Sequence, residues 1–242
     1  MKIKELSIIL PIYNEEARLN KSFNRITKLF GQFKSIKIEI IFVNDGSTDK
    51  SHELINNFIR SQKKDVKKKI IYVNYKKNKG KGYALKQGIK NSSKKWKLTC
   101  DIDFSTNPIE VRKWAKLNLL KEGKNCYFGS RSLKNSKVKF SYHRYFLGNL
   151  FNIIVSLMFD IKIGDTQCGF KLYHKNYAKK IFSNLKEFGY SHDVEIAILL
   201  KKNSISVFEL PIKWEHREKS RLNIFYDGIL MIFKLLLIKL RY

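Results

Sequence analysis

Directly after the apolar run Trp96–Cys100, the sequence places two carboxylates one residue apart, in Asp101-Ile102-Asp103. Side chains at i and i+2 of an extended segment share a face, so both acids are expected to project together from a strand end. Neighbouring carboxylates repel each other unless a cation sits between them, and hard oxygen donors suit Mg2+ or Mn2+. Together with a substrate diphosphate they make a usable ligand set for such an ion. The plainer alternative is a pair of solvated loop aspartates.

Three further segments share this character, polar residues at the end of an apolar run. Val43-Asn44-Asp45-Gly46-Ser47-Thr48-Asp49 reads as a turn in which Ser47 or Asp49 caps the next helix, leaving Asp45 open to a base or a ribose. In Pro11-Ile12-Tyr13-Asn14-Glu15-Glu16, helix capping accounts for Asn14 and Glu15, while Tyr13 could cover a nucleobase. Asn78-Lys79-Gly80-Lys81-Gly82 precedes a helix; its glycines permit close backbone approach, and Lys79 and Lys81 could face phosphate.

The elements that must position these groups alternate. Apolar runs at Leu6–Leu10, Ile38–Val43, Ile70–Val73, Trp96–Cys100 and Cys126–Gly129 suit buried strands of a parallel sheet. Helical patterns at Glu15–Phe30, Asp49–Ile59, Gly82–Ile89 and Pro108–Leu120 lie between them, the last with Asn107 as a cap and Pro108 in its first turn. The expectation is a Rossmann-like α/β fold, a doubly wound and mostly parallel sheet with sites at the carboxyl ends of its strands. Beyond residue 130 we expect a helix over Phe146–Phe159, a strand over Gln167–Tyr173 and a helix over Asp193–Lys201. An extended stretch over Ser206–Trp214 and an apolar helix over Asn223–Leu240 follow. No linker or repeat divides the chain, so residues 1–222 are expected to form one catalytic domain and residues 223–242 a C-terminal helical elaboration.

At 242 residues and 43% hydrophobic, with 12 glycines and 3 prolines, the chain is too apolar for disorder and unlike any collagenous sequence. Its formal net charge is +28, yet only nine of its 49 cationic residues are arginines, and lysine is a hydrated point charge rather than a bidentate phosphate reader. The excess favours a polyanionic partner: nucleic acid, an anionic membrane surface or a phosphorylated substrate. The basic runs Lys63–Lys69 and Lys76–Lys81 lack the interleaved stacking pattern of a nucleic-acid surface, so no nucleic acid is expected. Cys100, Cys126 and Cys168 show no C-x-x-C spacing, so reduced thiols are the default. No stretch reaches the ~18 uninterrupted apolar residues of a spanning helix, and a soluble or peripheral protein is expected.

The segments I-I-L-P-I-Y-N-E-E, I-I-F-V-N-D-G-S-T-D, N-K-G-K-G-Y-A-L and D-I-D together resemble the inverting nucleotide-sugar glycosyltransferases of family 2, with the GT-A fold. Phe128-Gly-Ser-Arg131, Asp165-Thr-Gln-Cys-Gly-Phe-Lys171, His192-Asp-Val-Glu195 and Trp214 with Glu218-Lys-Ser-Arg-Leu222 resemble the polyprenyl-phosphate branch. Within it, D-T-Q-C-G-F-K-L and the closing L-I-K-L-R-Y are most similar to the dolichyl-phosphate β-glucosyltransferases. The resemblance covers nearly the whole chain. It implies that Pro11, Tyr13, Glu15 and Asp45 line a nucleotide site beside the phosphate-facing Lys81, and that Asp101 and Asp103 bind metal and sugar diphosphate. Arg131, helped by Arg144, would hold an acceptor phosphate, so that Asp103 and Arg131 carry the catalysis. Ser105 stands where related mannosyltransferases often have a metal-binding glutamine. The chain also shows neither the amino-terminal membrane anchor of the eukaryotic glucosyltransferase nor the long membrane tail of many bacterial relatives.

The implied reaction moves a hexose, foremost glucose from UDP-glucose, onto a dolichyl or undecaprenyl phosphate at the cytoplasmic face of a membrane. GDP-mannose as donor and a glycan hydroxyl as acceptor are the rivals, because Asp45 does not separate uracil from guanine. A phosphate monoester is already mostly ionised at neutral pH and needs positioning more than deprotonation, so cations should ring it. Arg131, His143 and Arg144 are the candidates, with ordinary surface pairing as the alternative. A hydroxyl acceptor needs a base, for which Asp193 and Glu195 are candidates; both also suit the start of a helix. Asp227, Lys234 and Arg241 recur every seven residues, and the apolar remainder of that helix suits a membrane interface, with packing on the core or in a homodimer as the alternatives.

Overall fold

The computed structural model describes residues 2–121, 125–139, 142–215 and 224–242, with side chains placed except at 125, 142–147, 149, 224–227 and 229. In chain order the first half comprises β1 (Glu5–Ile12), α1 (Glu16–Gln32), β2 (Lys37–Asp45), α2 (Ser51–Ser61), α3 (Lys64–Lys67), β3 (Ile70–Tyr75), α4 (Lys81–Asn91), β4 (Trp96–Thr99) and α5 (Glu110–Lys116). The second half comprises β5 (Asn125–Ser130), β6 (Lys137–Lys139), α6 (Tyr142–Phe159), β7 (Lys171–His174), α7 (Lys175–Asn184), α8 (His192–Lys202), β8 (Ser206–Pro211), β9 (Lys213–Glu215) and α9 (Ile224–Arg241).

Seven strands form one sheet in the order β3-β2-β1-β4-β7-β5-β8, and β6 pairs with β9 in a small second sheet. The pairs β1–β2, β2–β3, β1–β4 and β5–β8 are parallel, while β7 runs antiparallel between β4 and β5. Strands β1, β2 and β4 are covered on both faces, which is why they read as unbroken apolar runs. One face packs against α1, α2 and α5 through Leu19, Phe23, Ile26, Ile55, Val111 and Trp114. The other packs against α4, α7 and α8 through Ala84, Leu85, Ala178, Ile181, Phe182, Ile196 and Leu199. The strand order reverses between β1 and β4, and the crevice outside the carboxyl ends at such a switch point is where open α/β sheets bind ligands.

Several expected elements change length. Helix α5 spans only Glu110–Lys116, because Asn118 turns left-handed at φ 54° and the Leu119 amide returns to the Trp114 carbonyl. The strand expected over Gln167–Tyr173 is confined to Lys171–His174, the four residues that register with β4. Helix α7 and strand β6 were not anticipated. Helix α9 shares a third core with α6 and α8, built on Val155, Val194, Ala197, Ile198, Leu235 and Ile238.

Candidate active site

The four strand-end segments meet at one rim, and side chains staple them across it. Asn14, at φ 51°, donates its amide to Ser47 Oγ (2.8 Å), and its Oδ1 accepts the amides of Thr48 (2.7 Å) and Asp49 (3.3 Å). Asp49 accepts the amides of both Ser51 (2.9 Å) and Glu16 (3.1 Å), so one carboxylate serves the first turns of α2 and α1. Neither expected residue is the cap itself: the N-cap of α2 is Lys50, Asp49 accepts the Ser51 amide from one residue before it, and Ser47 serves Asn14. Ser51 Oγ accepts the Glu15 amide (2.8 Å), and the Glu15 carboxylate lies 3.4 Å from Arg18. Pro11 is half-buried in β1, and Tyr13 stands exposed on the rim.

Asp45 is not open to a ligand as expected. It is 2% exposed; its carboxylate accepts the amides of Lys79 and Gly80 and the Asn78 side chain, each at 2.9 Å. Burial raises its pKa above the ordinary value, with the Lys79 and Gly80 amides among the groups opposing the rise. The structure therefore gives Asp45 the task of holding the loop 78–80 against the end of β2. Gly80, at φ 96°, then leads into α4, and Lys81 at its first turn places Nζ 2.6 Å from Asp101 Oδ1. Burial disfavours the Lys81 ammonium, but the charges of Asp101 and Asp193 outweigh it and keep that group protonated.

The two acids after β4 are brought together by a turn, not by strand alternation. The Phe104 amide donates to the Asp101 carbonyl (3.1 Å) and Phe104 adopts φ 50°, which ends the strand before the pair. Ser105 donates both its amide (2.8 Å) and its hydroxyl (2.9 Å) to Asp103 Oδ1, so it orients that ligand candidate and does not extend the set. Arg25 holds the Asp103 carbonyl (2.7 Å), and Arg18 lies 3.8 Å from its carboxylate. Burial first and the Asp101 charge second raise the Asp103 pKa, the behaviour of acids crowded together.

Asp101 lines a cleft with Cys100, Ser105, Thr106, Cys168, Gly169, Phe170 and Trp214. Thr106 Oγ1 is buried there without a hydrogen-bond partner among the described residues. Among the described residues, no group of three or more His, Cys, Asp or Glu side chains is arranged to hold a metal ion by itself. Two mutually repelling carboxylates, one with its side chain 44% exposed, fit an oxygen-ligated divalent ion whose remaining ligands come from elsewhere.

Across the cleft, Arg131 makes a forked pair with Asp165: Nε to Oδ2 and Nη2 to Oδ1, both at 2.7 Å, with the Arg131 amide adding a third bond at 2.9 Å. Its guanidinium carbon lies 5.8 Å from the Trp214 ring. Burial pulls the Arg131 pKa down and the Asp165 charge more than restores it; Asp165 in turn is held below its ordinary value against its own burial. Gln167 is half-buried in the loop before β7. Arg144 and His143 fall in the first turn of α6, with side chains outside the described residues, as is Glu218–Leu222 entirely.

The two candidate bases are both committed. Asp193 forms a buried ion pair with Lys171, which also donates to the Thr166 carbonyl (2.7 Å) and lies 4.7 Å from the Phe128 ring centre. Burial raises the Asp193 pKa, but neighbouring His192, Lys171 and Lys81 bring it below the ordinary value. Glu195, fully buried, accepts the amides of Lys186 and Glu187, Arg241 Nη1 (3.0 Å) and Tyr242 Oη (2.8 Å). Sequence reading missed Lys171 and the contact of Gly169 with Asp101. Buried pairs between residues 20 or more positions apart leave no local signature.

Residues 7–182 match the family described as "Glycosyl transferase family 2". The chain is 33% identical to a dolichyl-phosphate beta-glucosyltransferase of Dictyostelium discoideum, over 98% of this chain and 74% of that one. It is 32% identical to the Homo sapiens protein of the same name, over 99% of this chain and 76% of that one. Among solved structures, glucosyl-3-phosphoglycerate synthase from Mycobacterium tuberculosis, in complex with Mn2+, UDP and glucosyl-3-phosphoglycerate, superposes with a TM-score of 0.67. That match covers 98% of this chain and 80% of the synthase at 16% identity, and it shows the fold.

Proposed function

The chain belongs to glycosyl transferase family 2 and has the GT-A fold, and from that premise we propose that it transfers glucose from UDP-glucose to a polyprenyl phosphate, inverting the anomeric centre. Its relatives named dolichyl-phosphate beta-glucosyltransferase support the lipid-phosphate acceptor, and the synthase crystallised with UDP and Mn2+ supports the donor and the ion. The observation that carries the acceptor reading is the commitment of both candidate bases: Asp193 to Lys171, and Glu195 to Arg241 and Tyr242. A site whose two candidate bases are both engaged suits a nucleophile that arrives ionised, and a phosphate monoester with a second pKa near 6 does so. Arg131, braced by Asp165, supplies the positive charge to hold it, with Arg144 nearby in sequence at the start of α6.

On the donor side, Tyr13 and Glu15 on the rim, with Pro11 behind them, are positioned to flank a nucleotide. Asp45 acts there through the loop it holds. Lys81 faces the diphosphate from the first turn of α4. Asp101 and Asp103 would hold a divalent ion, Mg2+ or Mn2+, which when bound supplies Lewis-acid stabilisation to the departing nucleoside diphosphate. Ser105 keeps Asp103 in place, and Phe170 and Trp214 form apolar walls of the cleft.

We assign membrane association to α6 and α9. Their inner faces share a core, whereas Leu150, Ile153 and Leu157 of α6 and Leu230, Phe233, Leu236 and Leu240 of α9 are exposed. No helix among the described residues is long and apolar enough to cross a membrane. Of the residues that recur every seven along α9, Lys234 lies 3.5 Å from Glu187 and Arg241 reaches Glu195, so both are tied to the protein while still partly exposed. Asp227 lies outside the described side chains. The site would then work at the cytoplasmic face, the side on which nucleotide sugars are proposed to reach it.

The direct test mixes the protein with UDP-glucose or GDP-mannose, dolichyl or undecaprenyl phosphate, and Mn2+ or Mg2+, and separates the lipid-linked product by chromatography. Glucosylated lipid phosphate is expected, with turnover abolished by EDTA and lowered about a hundredfold or more by Asp103→Asn. Transfer to a glycan hydroxyl, with none to lipid phosphate, would overturn the acceptor.

A further inference from the structure

The closing Arg241-Tyr242 contributes no group to the reaction proposed above, yet the structure ties it to the donor side. Both side chains bind Glu195 Oε1, the guanidinium at 3.0 Å and the phenol hydroxyl at 2.8 Å. The other oxygen, Oε2, accepts the amides of Lys186 (2.9 Å) and Glu187. Glu195 has 0% exposure, so this carboxylate is stable only because four donors surround it. A second tie runs beside it: Lys234 lies 3.5 Å from Glu187 Oε2, whose Oε1 accepts the Gly189 amide at 2.8 Å.

The segment so held is the one against which the donor loop packs. The Gly82 amide donates to the Phe188 carbonyl at 2.9 Å. A Cβ on Gly80 would lie 2.3 Å from that same carbonyl oxygen, and a Cβ on Gly82 would lie 2.7 Å from the Glu187 carbonyl oxygen. Backbone therefore meets backbone on both sides of Lys81, with no flexible side chain to absorb a shift. Displacing residues 186–188 displaces the turn that presents Lys81 to Asp101.

We propose that Arg241 and Tyr242, acting through Glu195, are positioning residues for the donor loop, so that the end of α9 sets donor affinity from outside the cleft. This rests on the reading of Lys81 as a donor contact. It gives the terminal R-Y of the sequence a physical role, and it joins the helix assigned to the membrane to the donor loop.

The test measures binding of UDP (or GDP, if the wild type prefers it) with Mn2+ by calorimetry, in the full chain. Arg241→Ala is expected to weaken binding about tenfold and Tyr242→Phe less, with Arg241→Lys recovering most of the loss. In a Lys81→Met background, Arg241→Ala should add no more than about a twofold loss, because both act through one contact. Stoichiometry and thermal unfolding report the folded fraction separately, and Tyr242→Phe removes a single hydroxyl. A lower melting temperature with unchanged affinity, or a full tenfold loss added to that of Lys81→Met, overturns the proposal. Unchanged affinity in Lys81→Met alone overturns instead the donor role of Lys81.

Discussion

Arg131 and Asp165 form the kind of contact whose worth depends on which half is removed. Asp165 is 2% exposed and takes three of its hydrogen bonds from Arg131 alone. Arg131→Ala removes the two guanidinium bonds and the compensating charge, leaving the buried carboxylate the backbone amide at 131, and should cost about 3–5 kcal/mol in denaturant unfolding near neutral pH. The pH dependence has a defined sign. The folded-state pKa of Asp165 lies below its ordinary 3.8, so in acid the unfolded chain binds more protons than the folded one. The stabilisation is therefore complete above that ordinary value and is lost as pH falls through the depressed one. The gap in stability between wild type and Arg131→Ala should narrow as pH falls below the ordinary carboxylate value. A gap independent of pH would mean that the pair contributes packing, not charge. Arg131 thus serves the fold whether or not it also meets an acceptor phosphate, and activity loss in this variant must be read per folded molecule.

Elements were legible where their burial is simple. Strands β1, β2 and β4 are covered on both faces, so their apolar runs announced both identity and parallel pairing, and α1 showed its stripe of Leu19, Phe23, Ile26 and Leu29. Helix α7 was missed because three buried residues, Ala178, Ile181 and Phe182, are spread among lysines. The Asp101–Asp103 turn was missed because its left-handed residue is Phe104, which carries no turn signature. Asp45 was recognised as a strand-end acid, but its occupation by residues 78–80 arises from a contact across 33 positions or more. A longer separation still hid the role of Gly169 in the loop before β7. A Cβ there would stand 2.9 Å from Asp101 Oδ2 and 3.2 Å from Oδ1. The neighbour that must yield is the end of a side chain, so Gly169→Ala should leave the melting temperature within a few degrees while shifting the carboxylate. A displacement of about 1 Å at a reacting group costs about a hundredfold in turnover. Steady-state kinetics beside thermal unfolding checks this, and a variant with wild-type kcat would show that Asp101 tolerates the shift.

At the scale of the molecule, charge and apolar surface have to be weighed against each other. A net charge of +28 draws the protein toward any anionic surface, but exposed cations separated by more than about 8 Å are screened at physiological salt. Attraction by charge alone therefore fades with salt, whereas burial of side chains in an interface does not. Leu240 is 86% and Phe233 57% exposed on α9, and neither belongs to the core that α9 shares with α6 and α8. Replacing both by Asp removes buriable area and adds charge at the interface without opening a cavity. The wild type should cosediment with vesicles of phosphatidylcholine containing phosphatidylglycerol, and retain part of that binding in high salt. The double variant, Phe233→Asp with Leu240→Asp, should bind at least about tenfold more weakly and lose what remains as salt rises. Its transfer of sugar to a short, water-soluble isoprenyl phosphate should match the wild type at saturating donor, since neither residue lines the cleft. Equal vesicle binding by the two proteins would remove α9 from the membrane and leave its apolar face to a second copy of the chain, which sedimentation velocity would then detect.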